Sequence, residues 1–159
     1  MKNFILTIIF TIIAHHLLAT VVPQGSVSGV WDLGNSPYIV EGDICVEIGN
    51  TLHIRDGVEV IFTGHNNLTV YGKLLVTGSE NNHVVFTANN NSTRGWKGLY
   101  FDNSSGSSIE YAKFENISNE TALSVDSCED FNLSNCTFTN LESHSIDNFC
   151  LLYIIIHLV

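Results

Sequence analysis

Apolar residues recur along this chain in short clusters, and in its second half the clusters repeat. Ile109, Ala112, Phe114 and Ile117 hold the first, fourth, sixth and ninth places of a nonapeptide. It returns 24 residues later as Leu133, Cys136, Phe138 and Leu141. The same offset carries Leu99 and Phe101 onto Leu123 and Val125. Gaps of three, two and three fit neither a helix nor a plain strand. They fit short strands whose in-and-out alternation is reset by a turn residue, so that the chain bends and keeps the same side chains inside. A fixed period of roughly 20–50 residues marks a repeat architecture, and one made of short strands predicts a coil of stacked β rungs.

The first half reads the same way with looser spacing. Apolar runs at 38–40, 44–46 and 52–54 are followed by alternating pairs: Val58, Val60 and Phe62, then Leu68 and Val70, Leu74 and Val76, Val84 and Phe86. Gly42, Gly49, Gly57, Gly72 and Gly78 fall between them, where the backbone must turn. No apolar stripe of helical period extends over twelve residues beyond the N-terminal segment, and Pro37 precedes the whole strand series. The inward set is therefore Val58, Val60, Phe62, Leu68, Val70, Leu74, Val84, Phe86, Leu99, Phe101, Leu123 and Val125, together with the eight repeat residues above. Phe114 and Phe138 should stack on adjacent rungs. Asn116 and Asn140 hold equivalent places and read either as an amide ladder or as simple turn residues.

The stretches WDLGNSPYIVEGDI (31–44), GNTLHIRDGVEVIF (49–62) and LTVYGKLLV (68–76), followed by VVFT (84–87), GWKG (95–98) and the 24-residue repeats, carry a resemblance. Over about residues 27–141 the chain resembles secreted right-handed parallel β-helix repeat proteins of the pectate-lyase-like fold, common on bacterial surfaces. That resemblance implies an all-β, single-stranded, right-handed parallel β-helix. Residues 38–145 would supply about four to six rungs and 21–37 a lead-in that covers the first of them with Trp31. Rungs about 4.8 Å apart would make a stack roughly 20–30 Å long. The resemblance leaves function open, because this scaffold hosts lyases, hydrolases, adhesins and passive stalks.

The chain departs from that family at its end, where such proteins usually continue for many more rungs. After Ser143 the register fades, and residues 146–159 form an apolar tail without punctuation from Phe149 onward. Three readings stay open: a truncated or frameshifted product, a last strand that plugs the open end, and a membrane-associating tail too short to span a bilayer. An open C-terminal rung would present a strand edge through which copies self-associate.

The N-terminus changes the picture of where the protein works. Lys2, the apolar and threonine run of residues 4–14, and possible cleavage after Ala19 or Thr20 describe a secretory leader over 1–20. An uncleaved anchor is the alternative. A net charge of −10, with 16 acidic against 6 basic residues, excludes the clustered cations that nucleic acid or an anionic membrane surface would require. The expectation is export to the medium or to a bacterial cell surface, with no membrane span in the mature chain.

Candidate chemistry is sparse. Asp126, Glu129 and Asp130 form an acidic loop that could hold calcium, although a solvated loop is the simpler reading. Enzymes of the resembled fold act on acidic polysaccharides, lyases with carboxylate-held calcium and hydrolases with paired aspartates. Yet no Lys or Arg lies within a dozen residues of this loop. Arg94 and Trp96 are the place where basic and aromatic groups meet. Trp96 either stacks on a sugar ring beside Arg94 or packs on a neighbouring rung. Cys45, Cys128, Cys136 and Cys150 show neither a disulfide framework nor zinc spacing, and Cys136 falls at an inward place. His53 should point outward. Eight Asn-x-Ser/Thr sequons (Asn67, Asn90, Asn91, Asn103, Asn116, Asn119, Asn132, Asn135) would accept glycans only in a eukaryotic secretory path. No catalytic or cofactor-binding residue is assigned. The first functional expectation is a non-catalytic exported spacer or adhesion module touching polysaccharide or cell-surface components. The second is a polysaccharide lyase or glycoside hydrolase, or an inactive fragment of one.

Overall fold

The computed structural model describes residues 19–89, 94–118, 121–139, 146–147 and 154–158. The leader through residue 18, the sequons at Asn90, Asn91 and Asn119, and Asn140, Leu141 and Cys150 lie outside the described residues. The chain winds in triplets of strands. The first turn is β1 (Thr20–Val22), β2 (Gly25–Ser26) and β3 (Gly29–Trp31), and the second is β4 (Tyr38–Val40), β5 (Ile44–Val46) and β6 (Thr51–Arg55). Next come β7 (Glu59–Phe62), β8 (Asn67–Val70) and β9 (Lys73–Thr77), then β10 (Val84–Ala88), β11 (Gly98–Asp102) and β12 (Ser108–Glu110). They are followed by β13 (Ala112–Glu115), β14 (Leu123–Asp126) and the long β15 (Asn132–Thr139), and finally by β16 (Ile146–Asp147) and β17 (Ile154–Leu158).

Every pairing is parallel and joins a strand to its counterpart one turn away, which makes a three-faced β-helix. The first face stacks β1, β4, β7, β10, β13 and the second half of β15. The second stacks β2, β5, β8, β11, β14 and β16, and the third β3, β6, β9, β12 and the first half of β15. Four turns, from β4 to the start of β15, carry a strand of three residues or more on every face, with a thinner turn before them. That agrees with the expected four to six rungs. Among the described residues the helical content is one 3-10 turn, Leu33–Asn35, and no helix is long and apolar enough to cross a membrane.

All the inward residues expected from the pattern are buried, apart from Leu141, which is not described. On the first face Tyr38, Val60, Phe86, Phe114 and Phe138 lie in register on five successive turns. Phe114 stacks on Phe86 at 5.1 Å and on Phe138 at 4.7 Å, the rings within 11° of parallel. The lead-in segment is itself part of the coil. β1, β2 and β3 pair with β4, β5 and β6, and Trp31 stacks on Tyr38 at 4.4 Å.

Corners repeat as faithfully as strands do. Left-handed backbone recurs at Asn103 and Ser127, at Gly106 and Asp130, and at Tyr111 and Asn135, each pair one 24-residue period apart. Tyr111 and Asn135 hold the third place of the nonapeptide and turn the chain between two inward residues. This is the reset that the three-two-three spacing requires. Asn116 is left-handed as well, and its side-chain amide donates to Thr87 Oγ1 on the preceding turn (3.0 Å).

Where the chain rounds the corner from β11 to β12, side chains replace a missing backbone partner. Ser107 Oγ accepts from the Leu74 N–H at 3.0 Å and lies 2.8 Å from Ser104 Oγ, which donates to the Gly72 carbonyl at 2.7 Å. Both serines are fully buried. Ser107→Ala strands the Leu74 N–H, so urea unfolding should show a loss of about 1–3 kcal/mol. An unchanged midpoint would mean that water replaces the hydroxyl.

Candidate functional site

The acidic loop follows β14. Asp126, at that strand's end, is exposed and pairs in register with Asp102 on β11, so two carboxylate-bearing residues sit opposite each other on adjacent turns. Like charges directly opposite repel. Each is engaged locally, Asp102 by the Asn103 side-chain amide (2.6 Å) and Asp126 by the Ser127 hydroxyl (3.0 Å). Glu129 and Asp130 are exposed on the corner beyond. The Glu129 carbonyl receives the Gly106 N–H, and Asp130 adopts the left-handed conformation. Among the described residues no three His, Cys, Asp or Glu side chains are grouped so as to hold a metal ion. Asp126, Glu129 and Asp130 thus share a turn without forming a coordination shell.

Arg94 and Trp96 part company. Arg94 is exposed, whereas the Trp96 ring is wholly buried, stacks on Phe62 at 4.4 Å, and donates its Nε1–H to the Glu115 carbonyl at 2.9 Å. Of the two readings of Trp96, packing on neighbouring rungs is the one the structure shows, and sugar stacking is set aside: the indole has no free face to offer. The connection from β10 to β11 is long. Its return leg folds the ring back between Phe62, Phe86 and Phe114 and fills the interior.

His53 points outward, as expected, and its Nε2 lies 2.9 Å from Thr77 Oγ1 on the next turn. The Cys136 thiol is buried, and burial pushes its pKa up to about 11. Burial also raises Cys128 and Cys45, the latter with help from the Glu47 carboxylate. A proton held more tightly in the folded state stabilises that state below the thiol's ordinary pKa, and the contribution is lost as pH rises through about 11. Relative to Cys136→Ala, the native protein should therefore lose stability between pH 9 and 11, read from urea midpoints across that range. Parallel pH profiles would show that the thiol ionises freely in the fold. Of the described sequons, Asn103 alone is exposed; the Asn116 and Asn132 side chains donate to Thr87 and Glu110.

Among the described residues, two surface concavities stand out. One, about 360 Å³, lies at the corner between the second and third faces and is lined by Asn50, Thr51, Tyr71, Lys73 and Ser105. Tyr71 is 40 % exposed there, and Lys73 follows it across Gly72. An exposed aromatic and a cation, which part at Arg94 and Trp96, meet here instead. Alternation could have found it, since Leu68 and Val70 point in and Tyr71 must point out. The other, about 300 Å³, runs along the outside of the first face, past Ile39, Ile61, Thr87 and Glu115, with Glu59 at its side. No family model matches the chain, and no curated protein or solved structure matches it significantly.

Proposed function

We propose that this protein is a non-catalytic, exported β-helix module of bacterial cell surfaces, akin to the pectate-lyase-like family, which holds contact surfaces along a rigid rod. The observation that carries this reading is the unbroken inward column from Tyr38 to Phe138, five residues in register on successive turns. Such a column gives each turn a fixed place on the next, and the corners, free to vary in length, become display positions. The leader-like N-terminus and the acidic, Asn-rich surface support export. The Tyr71 and Lys73 corner supports saccharide contact, since an aromatic face beside an amide, hydroxyls and an ammonium suits a polyhydroxylated ring.

The test is retention on immobilised polysaccharides alongside turnover of polygalacturonate and alginate with calcium present. Retention weakened by Tyr71→Ala, with no turnover, is the expected result. A lyase or hydrolase remains the second reading, and the Asp102 and Asp126 pair favours it, because glycoside hydrolysis uses two carboxyl groups across the scissile bond. Robust turnover abolished by Asp126→Ala would replace the first reading with the second.

A further inference from the structure

The cleft on the first face combines features that differ from those of the Tyr71 corner. Ile39, Ile61, Thr87 and Glu115 form one outward row, a residue per turn on β4, β7, β10 and β13. With turns about 4.8 Å apart the row is about 14 Å long. Its N-terminal half is an apolar floor, Ile39 and Ile61, both half-buried though they face out of the sheet. Its C-terminal end is the Glu115 carboxylate, and Glu59, two residues before Ile61 on β7, adds a second at the side. Ala88 and Asn89 wall one side with Asn116, whose amide is anchored on Thr87. Among the described residues no cationic side chain lines the cleft. The nearest along the sheet is Lys113, two residues before Glu115 and one row over. The chain as a whole carries −10.

Two carboxylates, Glu59 beside Ile61 and Glu115 two turns further along the row across Thr87, match a ligand with methylene segments between positive nitrogens. Anions are repelled both by the cleft and by the whole field, while cations are concentrated by it. Neutral rods would bury methylenes but gain nothing from either carboxylate. We propose that this cleft binds a linear alkylammonium ligand, its ammonium groups on Glu59 and Glu115 and the methylenes between them across Ile61 and Thr87. The inference is independent of the saccharide reading, which rests on a different corner.

Calorimetric titration of the intact protein with spermidine at low ionic strength tests it. Saturable one-to-one binding is expected, with 1,8-octanediol inert. Glu59→Gln and Glu115→Gln should each weaken binding about fivefold, the upper range for one surface charge pair. Lys113→Gln should strengthen it, and Asp102→Asn, which removes an acid on another face, should leave it unchanged. All four are surface changes, and circular dichroism confirms the fold. Absence of saturation, or an equal loss with Asp102→Asn, would overturn the proposal and assign the response to the diffuse ion atmosphere. Equal binding of the diol would overturn the role of the carboxylates. Loss of polysaccharide retention in Tyr71→Ala with spermidine binding intact would separate the two sites.

Discussion

Phe114→Ala should lower the free energy of unfolding by about 3–5 kcal/mol, the range for deleting a large buried aromatic ring. The ring is fully buried between Phe86 and Phe138, with Trp96 6.4 Å away. Neighbouring strands are held at ladder spacing by backbone hydrogen bonds, so the gap cannot close by collapse, and the cavity contribution persists. Small domains have total stabilities of about 5–15 kcal/mol, so this one change removes a large share. Urea unfolding followed by circular dichroism measures it. A midpoint displaced by less than about 1 kcal/mol equivalent would show that the aromatic column contributes no more than an average contact.

Gly98→Ala should be nearly as damaging, and for a different reason. Gly98 opens β11 with φ of +109° and is buried where the long connection rejoins the stack. A Cβ there would collide with the carbonyl oxygens of Thr121 and Ala122 on the next turn. The Ala122 carbonyl is the acceptor for the Leu99 N–H at 3.0 Å, so relief of the clash breaks the ladder. Backbone strain of about 1–3 kcal/mol and overpacking of about 1–3 kcal/mol both apply. Gly49→Ala is the control. Its φ is +81° but the space around it is open, so only the backbone cost of about 1–2 kcal/mol remains. Equal losses at the two sites would show that steric contact with the neighbouring turn is not what requires glycine at 98.

The interior was legible because its signals are local. Phe114 and Phe138 could be placed on adjacent turns from a 24-residue offset, and the ring stack at 4.7 Å follows from it. The first turn was harder to read. Gly25, Ser26 and Gly29 offer no apolar alternation, and they are strands because β5 and β6 below supply partners. Trp96 was ambiguous in the same way. A Gly-Trp-Lys-Gly turn is compatible with an exposed or an inward ring, and the choice came from the room between Phe62, Phe86 and Phe114. Asp102 and Asp126 share the 24-residue offset, yet they became a facing pair only once parallel stacking put equal places opposite each other.

By itself, then, the sequence determined the periodic β architecture and which side chains face inward. Alternation and left-handed turn residues act over a few positions and need no distant partner. The tertiary structure decided which outward side chains meet. Ile39, Ile61, Thr87 and Glu115 follow one another at 22, 26 and 28 residues, so no constant offset joins them. Corners of unequal length change the spacing along the chain while the ladder keeps the strands in register. Surface neighbours are set by that register, so the clefts exist only in the folded stack.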